Sequence, residues 1–124
     1  MRGCDFMAPS RNDLTEITDS SQISGGAWRG FIKKPGGNLI QVNPPSGTDS
    51  VYLQGINDSG VAVGAYPNPL IWQEGMSGSR HLNDLQSASP TFYIYGAEAI
   101  NNAMVIVGWG YDGSAYTAFM LAPP

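Results

Sequence analysis

Four aromatic side chains lie just beyond the glycines that end three copies of a recurring phrase: Trp28, Tyr66, Trp109 and Tyr111. Flat aromatic rings stack on the C–H faces of sugars, and neighbouring amide or carboxylate side chains bond the hydroxyl groups. If the copies surround a common axis, these four rings recur on one face and predict a ligand-binding platform. The alternative is that they cover the core or pack between repeats, as large aromatic residues commonly do.

Residues for catalysis are sparse. A Ser-His-Asp or Cys-His arrangement needs a histidine, and His81 is the only one, beside Arg80 in a predicted outer strand. Ten acidic residues could supply paired carboxylates, but the sequence brings no two of them within the roughly 5 to 10 Å that glycoside hydrolysis requires. We therefore expect no catalytic residue, and a glycoside hydrolase remains the low-ranked alternative.

Metal and disulfide chemistry are equally unsupported by the sequence. There is no His/Cys cluster, and the Asp-containing turns lack the spacing that gathers oxygen ligands around calcium. Asp19, Asp58 and Asn102 are therefore interpreted as turn formers. Cys4 is the only cysteine, which permits no internal disulfide and leaves a free thiol or an intermolecular bridge. We expect neither a metal nor a cofactor.

The charge balance argues against nucleic acid as a partner. The net charge is −4 with six Lys and Arg residues, whereas phosphate binding needs clustered cations. Charged residues make up only 13% of the chain, which indicates a surface that is polar but neutral or covered by a partner. No run approaches the ~20 apolar residues of a membrane span. No apolar segment typical of a signal peptide precedes Cys4.

The phrase itself predicts the architecture. It reads ITDSSQISG at residues 17–25, INDSGVAVG at 56–64 and INNAMVIVG at 100–108, a spacing typical of one four-stranded propeller blade or one β-trefoil unit. An apolar strand follows each copy, at 31–32, 70–71 and 119–120. Further strands are predicted at residues 38–42, 51–55, 80–85 and 92–98, so each unit reads as four short strands. Residues 61–63 and 104–107 are so apolar that we expect strands covered on both faces.

The ends of the chain complete this pattern. We predict one domain, 1–124, with units at about 12–50, 51–94 and 95–124, the last completed by residues 1–11. Residues 12–17 fill the slot before the first phrase that residues 51–56 and 95–100 fill before the other two. First and last segments would then pair in one sheet, a closure that removes bare edges from ring-shaped β folds.

Two strings carry a resemblance to a known family: GFIKKPGGNLIQVNPP at residues 30–45 and GINDSGVAVGAY at 55–66. They resemble the HAF-repeat family of bacterial proteins, which runs as tandem copies of a G-I-N-x-x-G-x-x-V-G core followed by an A-F-L or G-F-L strand. The resemblance implies propeller-like blades and an extracellular location. It implies no activity.

The number of units leaves two architectures open. Known propellers have about four to eight blades, so three blades call for a homodimer that completes a six-bladed ring. The alternative is that one chain folds as a β-trefoil. Either fold favours a non-catalytic binding or assembly module that contacts a glycan or a protein through a ring face. A carbohydrate-active enzyme on the same scaffold and a purely structural oligomer are the alternative functions.

Overall fold

The computed structural model describes residues 6–37, 39–65, 68–76, 78–84 and 92–122. This part of the chain forms short β-strands and one turn of 3-10 helix, which confirms the all-β prediction. The strands are β1 Phe6–Arg11, β2 Ile17–Gln22, β3 Trp28–Lys33, β4 Leu39–Val42, β5 Leu53–Ile56, β6 Ala62–Gly64, β7 Leu70–Trp72, β8 Arg80–His81, β9 Tyr93–Ile100, β10 Ile106–Tyr111 and β11 Tyr116–Leu121, and the 3-10 turn is Leu82–Asp84.

The strands form three antiparallel sheets whose strand order follows the chain. The first sheet is β1-β2-β3-β4, the second is β5-β6-β7-β8, and the third is β9-β10-β11. Each sheet is therefore a meander of hairpins, the simplest connection between neighbouring antiparallel strands.

The position of β1 corrects the predicted closure. Phe6–Arg11 pairs with β2, from Phe6 opposite Ser21 to Arg11 opposite Ile17, while β11 pairs with β10 in the third sheet. The expectation that residues 1–11 complete the third unit is therefore wrong for residues 6–11, and residues 1–5 lie outside the described residues. A tight turn folds β1 back on β2, and this local pairing needs far less chain ordering than pairing with a distant end.

In each of the three sheets, an asparagine begins the first turn and fixes its backbone. Its side-chain Oδ1 accepts hydrogen bonds from the backbone N–H groups two and four residues further on, at 2.9 to 3.0 Å in each turn. The asparagines are Asn12, Asn57 and Asn101. An amide side chain that bonds its own backbone in this way fixes a turn without help from packing.

The fourth residue of each turn has a left-handed backbone conformation. The φ angle is 62° at Thr15, 80° at Gly60 and 66° at Met104. This places Arg11, rather than Ile17, at the position of Ile56, so the register predicted from the phrase at residues 17–25 is wrong. Asp19 consequently lies within β2 and not in a turn, whereas Asp58 and Asn102 do lie in turns, as predicted.

The three turns are also bonded to one another, and we call residues 12–15, 57–60 and 101–104 the turn stack. Asn12 Nδ2 donates to the Asn57 carbonyl at 2.8 Å, and Asn57 Nδ2 donates to the Asn101 carbonyl at 3.1 Å. A second row runs parallel to this one. The Asp13 N–H donates to Asp58 Oδ1 at 2.8 Å, and the Asp58 N–H donates to Asn102 Oδ1 at 2.7 Å.

The core consists of two apolar layers, one on each side of the second sheet. The layer between the first and second sheets contains Ile32, Val42, Val51, Leu53, Ile56, Ala62, Leu70 and Trp72. The layer between the second and third sheets contains Val63, Leu82, Ile94, Ala97 and Ile106. Residues 61–63 are buried on both faces, as predicted. The same prediction is wrong for residues 104–107, because Val107 is 42% exposed.

A matched pair of substitutions tests the turn stack. Asn57→Ala removes two turn bonds and the bond to the third unit from a buried position, so we expect the free energy of unfolding to fall by about 1–3 kcal/mol. Asn101→Ala removes equivalent turn bonds from an exposed position and is expected to cost only about 1 kcal/mol. Urea unfolding of dilute protein measures both. Equal losses would show that the bonds between units contribute nothing.

The strained residue of the first turn gives a second test. A left-handed conformation costs a non-glycine residue roughly 1–2 kcal/mol. Glycine avoids this cost, but it raises the entropy of the unfolded chain, which lowers the free energy of unfolding by about 0.4–1 kcal/mol. Thr15→Gly should therefore raise the free energy of unfolding by about 0.5–1 kcal/mol. The reciprocal change Gly60→Thr, at a φ of 80°, should lower it. A Thr15→Gly protein that melts earlier than the wild type would contradict this account.

Candidate functional site

The third sheet carries a continuous cluster of aromatic rings on one side, which we call the aromatic face. Ring centroids lie 5.3 Å apart for Tyr93 and Tyr95, and 5.4 Å apart for Tyr95 and Trp109. The Tyr116 ring lies 5.9 Å from Trp109 and 5.3 Å from Tyr111. These separations are typical of rings in tilted or edge contact. The five rings therefore form one connected surface.

Strand pairing brings the rings together. Tyr111 lies opposite both Tyr116 on β11 and Tyr93 on β9, and alternation along β10 puts Trp109 on the same side as Tyr111. Trp109 lies opposite Gly96 on β9, where a Cβ would lie 2.6 Å from the indole Nε1, so the glycine leaves room for the ring. The pairing of β9 with β10 shifts register twice. A bulge of this kind changes the direction of side chains, and here Tyr95 joins the cluster.

Water reaches much of the aromatic face. Tyr116 is 69% exposed and Trp109 is 36% exposed. The indole Nε1 of Trp109 donates a hydrogen bond of 3.2 Å to Glu98 Oε2, and this contact is itself exposed. The surface therefore combines open ring faces with a carboxylate at its edge.

Equivalent positions in the other two sheets are covered. We call the side of each sheet that faces the following sheet its forward face, and the opposite side its backward face. On the forward face of the second sheet, Val63 is fully buried and Ile71 packs against the third sheet. The residues in the same register of the third sheet are Val107, opposite Met120, and these are 42% and 70% exposed. The aromatic face is thus the forward face of the last sheet.

The predicted site residues are only partly brought together. Trp109 and Tyr111 both contact Tyr116 on the aromatic face. Trp28 lies on β3 of the first sheet, where its ring contacts Tyr52 at 5.3 Å and its carbonyl accepts a bond from the Val51 N–H. The expectation that Trp28 and Trp109 occupy related positions is wrong, because they lie on the third and second strands of their sheets. Tyr66 lies outside the described residues.

Sequence reasoning missed Tyr93, Tyr95 and Tyr116. A signal was present, since Tyr93 and Tyr95 are two residues apart, as are Trp109 and Tyr111, and this spacing places residues on one face of a strand. What the sequence did not show is that β9 and β11 flank β10 in a register that puts the rings side by side.

His81 has its ring 6.3 Å from the Tyr93 ring, and its Nδ1 accepts a hydrogen bond from the Asn83 N–H. In the described part of the chain, no group of three or more His, Cys, Asp or Glu side chains could hold a metal ion. Cys4 lies outside this part. The described residues also contain no helix with the length and apolar character needed to cross a membrane.

The pKa values of carboxylates in the turns are lowered, whereas that of a buried carboxylate in the first sheet is raised. Hydrogen bonds from the Asp13 N–H and from Asn102 hold the pKa of Asp58 below its usual value. The N–H groups of Ala115 and Ser114 do the same for the pKa of Asp112, at the tip of the β10–β11 hairpin.

Asp19 is the exception among these carboxylates. It is 4% exposed, its Oδ1 has no hydrogen-bond partner among the described residues, and burial raises its pKa. It lies on the backward face of the first sheet, opposite Phe31.

Comparison of this chain with known protein families, with curated proteins and with solved structures finds no match.

The buried carboxylate of Asp19 predicts a pH effect. Because its pKa is raised in the folded protein, the unfolded chain loses this proton first, and stability falls as pH rises above about 4. Asp19→Asn should therefore raise the free energy of unfolding at pH 7 by about 1 kcal/mol, with the gain vanishing near pH 3. Thermal melting of both proteins across this range measures it. The exposed Asp84→Asn should leave stability at pH 7 unchanged, and an equal effect of both substitutions would rule out burial as the cause.

Proposed function

We propose that this chain is a non-catalytic assembly module built from propeller-like units, and that its aromatic face binds a further protein unit. One observation carries the proposal. The forward faces of the first two sheets are covered by the next sheet, with Thr18 and Val63 fully buried, whereas Val107 at the same position of the third sheet is 42% exposed. A position that is buried in the first two sheets and exposed in the third indicates a surface to which a further unit binds.

The chemistry of the aromatic face supports a protein partner. Tyr, Trp and Met are enriched in protein interfaces, and apolar contact supplies most of the binding energy. Exposed apolar residues that form a contiguous patch commonly mark interaction sites. Here Val107 and Met120 lie directly beside the rings, so the aromatic face is a patch and not a set of isolated residues.

The proposal includes the arrangement of the units. Each sheet is a meander packed face to face on the next one, and this supports propeller-like blades over a β-trefoil. The resemblance of residues 55–66 to the HAF repeat adds weight to this view and to an extracellular location.

A glycan ligand is the second candidate function. The observation that favours it is the open Trp109 ring with Glu98 bonded at its edge, since a sugar needs a ring face for its C–H groups and a polar atom for its hydroxyl groups. The two candidates predict different behaviour. With glycan in excess, the fraction of the chain that is bound does not depend on the protein concentration, whereas self-assembly does.

The double variant Tyr116→Ser with Met120→Ser tests the proposed function. We expect its unfolding free energy in dilute solution to fall by only about 1 kcal/mol, because both positions are exposed and the loss is confined to the ring contacts of Tyr116. In concentrated wild-type protein, amide hydrogen exchange along β11 should slow, and in the variant this slowing should be lost.

Exposed Arg80, on the edge of the second sheet, provides the control as Arg80→Ala. The proposal would be contradicted if β11 exchange in the wild-type protein did not depend on concentration and the protein bound immobilised glycans through Trp109. Glycan binding would then be the function of the aromatic face.

A further inference from the structure

We infer that the aromatic face binds the backward face of the first sheet in a second copy of this chain, in a head-to-tail arrangement that continues the turn stack. This inference rests on the proposed function and names the partner.

Continuity of the internal interfaces is the first argument. Within the chain, the forward face of each sheet packs on the backward face of the next one, and this happens twice. Among the described residues, one forward face, on the third sheet, and one backward face, on the first sheet, have no sheet packed on them. On that backward face Leu39 is 60% exposed, Lys33 and Gln41 are exposed, and Phe31 is half-buried, while Asp19 on β2 is buried. The two surfaces have the same orientation as the pairs that join elsewhere in the molecule, although the backward face of the first sheet is more polar than the internal ones.

The turn stack supplies the second argument, because it ends with groups that match. In the stack, each asparagine Nδ2 donates to the carbonyl of the next asparagine, and each following N–H donates to the next side-chain Oδ1. Asn101 and Asn102 are exposed at one end of the stack, and at the other end Asp13 is exposed and Asn12 is buried. Continuing the same rule, Asn101 Nδ2 donates to the Asn12 carbonyl of the second copy, and the Asn102 N–H donates to its Asp13 carboxylate.

Charge complementarity supplies the third argument. Lys33 lies opposite Leu39 on the backward face of the first sheet, and it is exposed. The aromatic face presents five rings together with the exposed carboxylate of Glu98. An ammonium group over Tyr or Trp rings is attracted by their negative faces, and more strongly so when water is excluded. Two aromatic faces brought together would gain no such contact.

Complementation between two variants tests the inference. A forward-face variant carries Tyr116→Ser and Met120→Ser, and a backward-face variant carries Lys33→Glu and Leu39→Asp. Each variant alone keeps one intact surface, so we expect its self-association to weaken by about tenfold or more, as substitution of interface anchors usually does. Mixed one to one, the two variants retain one complete interface and should form a 1:1 complex. Sedimentation velocity and native mass spectrometry measure the masses.

The outcomes separate this inference from the proposed function. If the backward-face variant self-associates as the wild type does while the forward-face variant stays monomeric, the aromatic face pairs with itself, so the inference is wrong and the proposed function stands. A wild-type protein that stays monomeric at several hundred micromolar would overturn both. Circular dichroism of each dilute variant establishes that it is folded, and Arg80→Ala should associate as the wild type does.

Discussion

The structure depends on one side chain used three times, the asparagine that begins each turn of the stack. Its oxygen closes the turn on which it lies, and in the first two units its Nδ2 reaches the carbonyl of the next turn. Asn12 and Asn57 are buried, where an unsatisfied amide would be costly, so the bonds between units are strongly favoured. The same group thus fixes local backbone shape and the distance between units. The hydrogen bonds between the turns therefore hold the sheets in a stack.

The stack determines how the apolar residues are shared. With three sheets in a row, the middle one is covered on both faces and the outer ones on one face each by sheets of this chain. The second sheet is accordingly apolar on both sides, with Leu70 on one and Val63 on the other, both fully buried. A chain of this size has little apolar surface to spare. Val107 and Met120 are therefore exposed because the third sheet is the last in the row.

The sequence was sufficient to predict the all-β class and the role of Asx turns, because alternation and turn chemistry are local. The register of the first unit was wrong for a physical reason. Residues 17–20 resemble residues 56–59 in letters, but Asn12 and Thr15 reproduce the bonds and the left-handed backbone of Asn57 and Gly60. Hydrogen bonding, and not apolar character, sets the position of a turn.

The candidate site was predicted in part for a related reason. Trp109 and Tyr111 share a strand face whenever that strand is correct, so their proximity follows from the sequence. The contributions of Tyr95 and Tyr116 depend on a register shift in β9 and on the pairing of β11 with β10. Trp28 was grouped with them only because of the incorrect register. Contacts between strands carry information that spacing along one strand does not contain.

The residue two positions beyond Val63, or beyond its equivalents Thr18 and Val107, distinguishes the internal interfaces from the aromatic face. In the first two sheets this position holds Ser20 and Ala65, both small and buried, whose size lets the next sheet approach closely. In the third sheet it holds Trp109. An indole contacts water on one side and apolar groups on the other at modest cost, so it suits a surface that is exposed before it is covered. In the proposed assembly, contact with a second copy at this position would differ from the internal interfaces, with ring stacking in place of close sheet packing, while the turn stack would keep the same bonding rule.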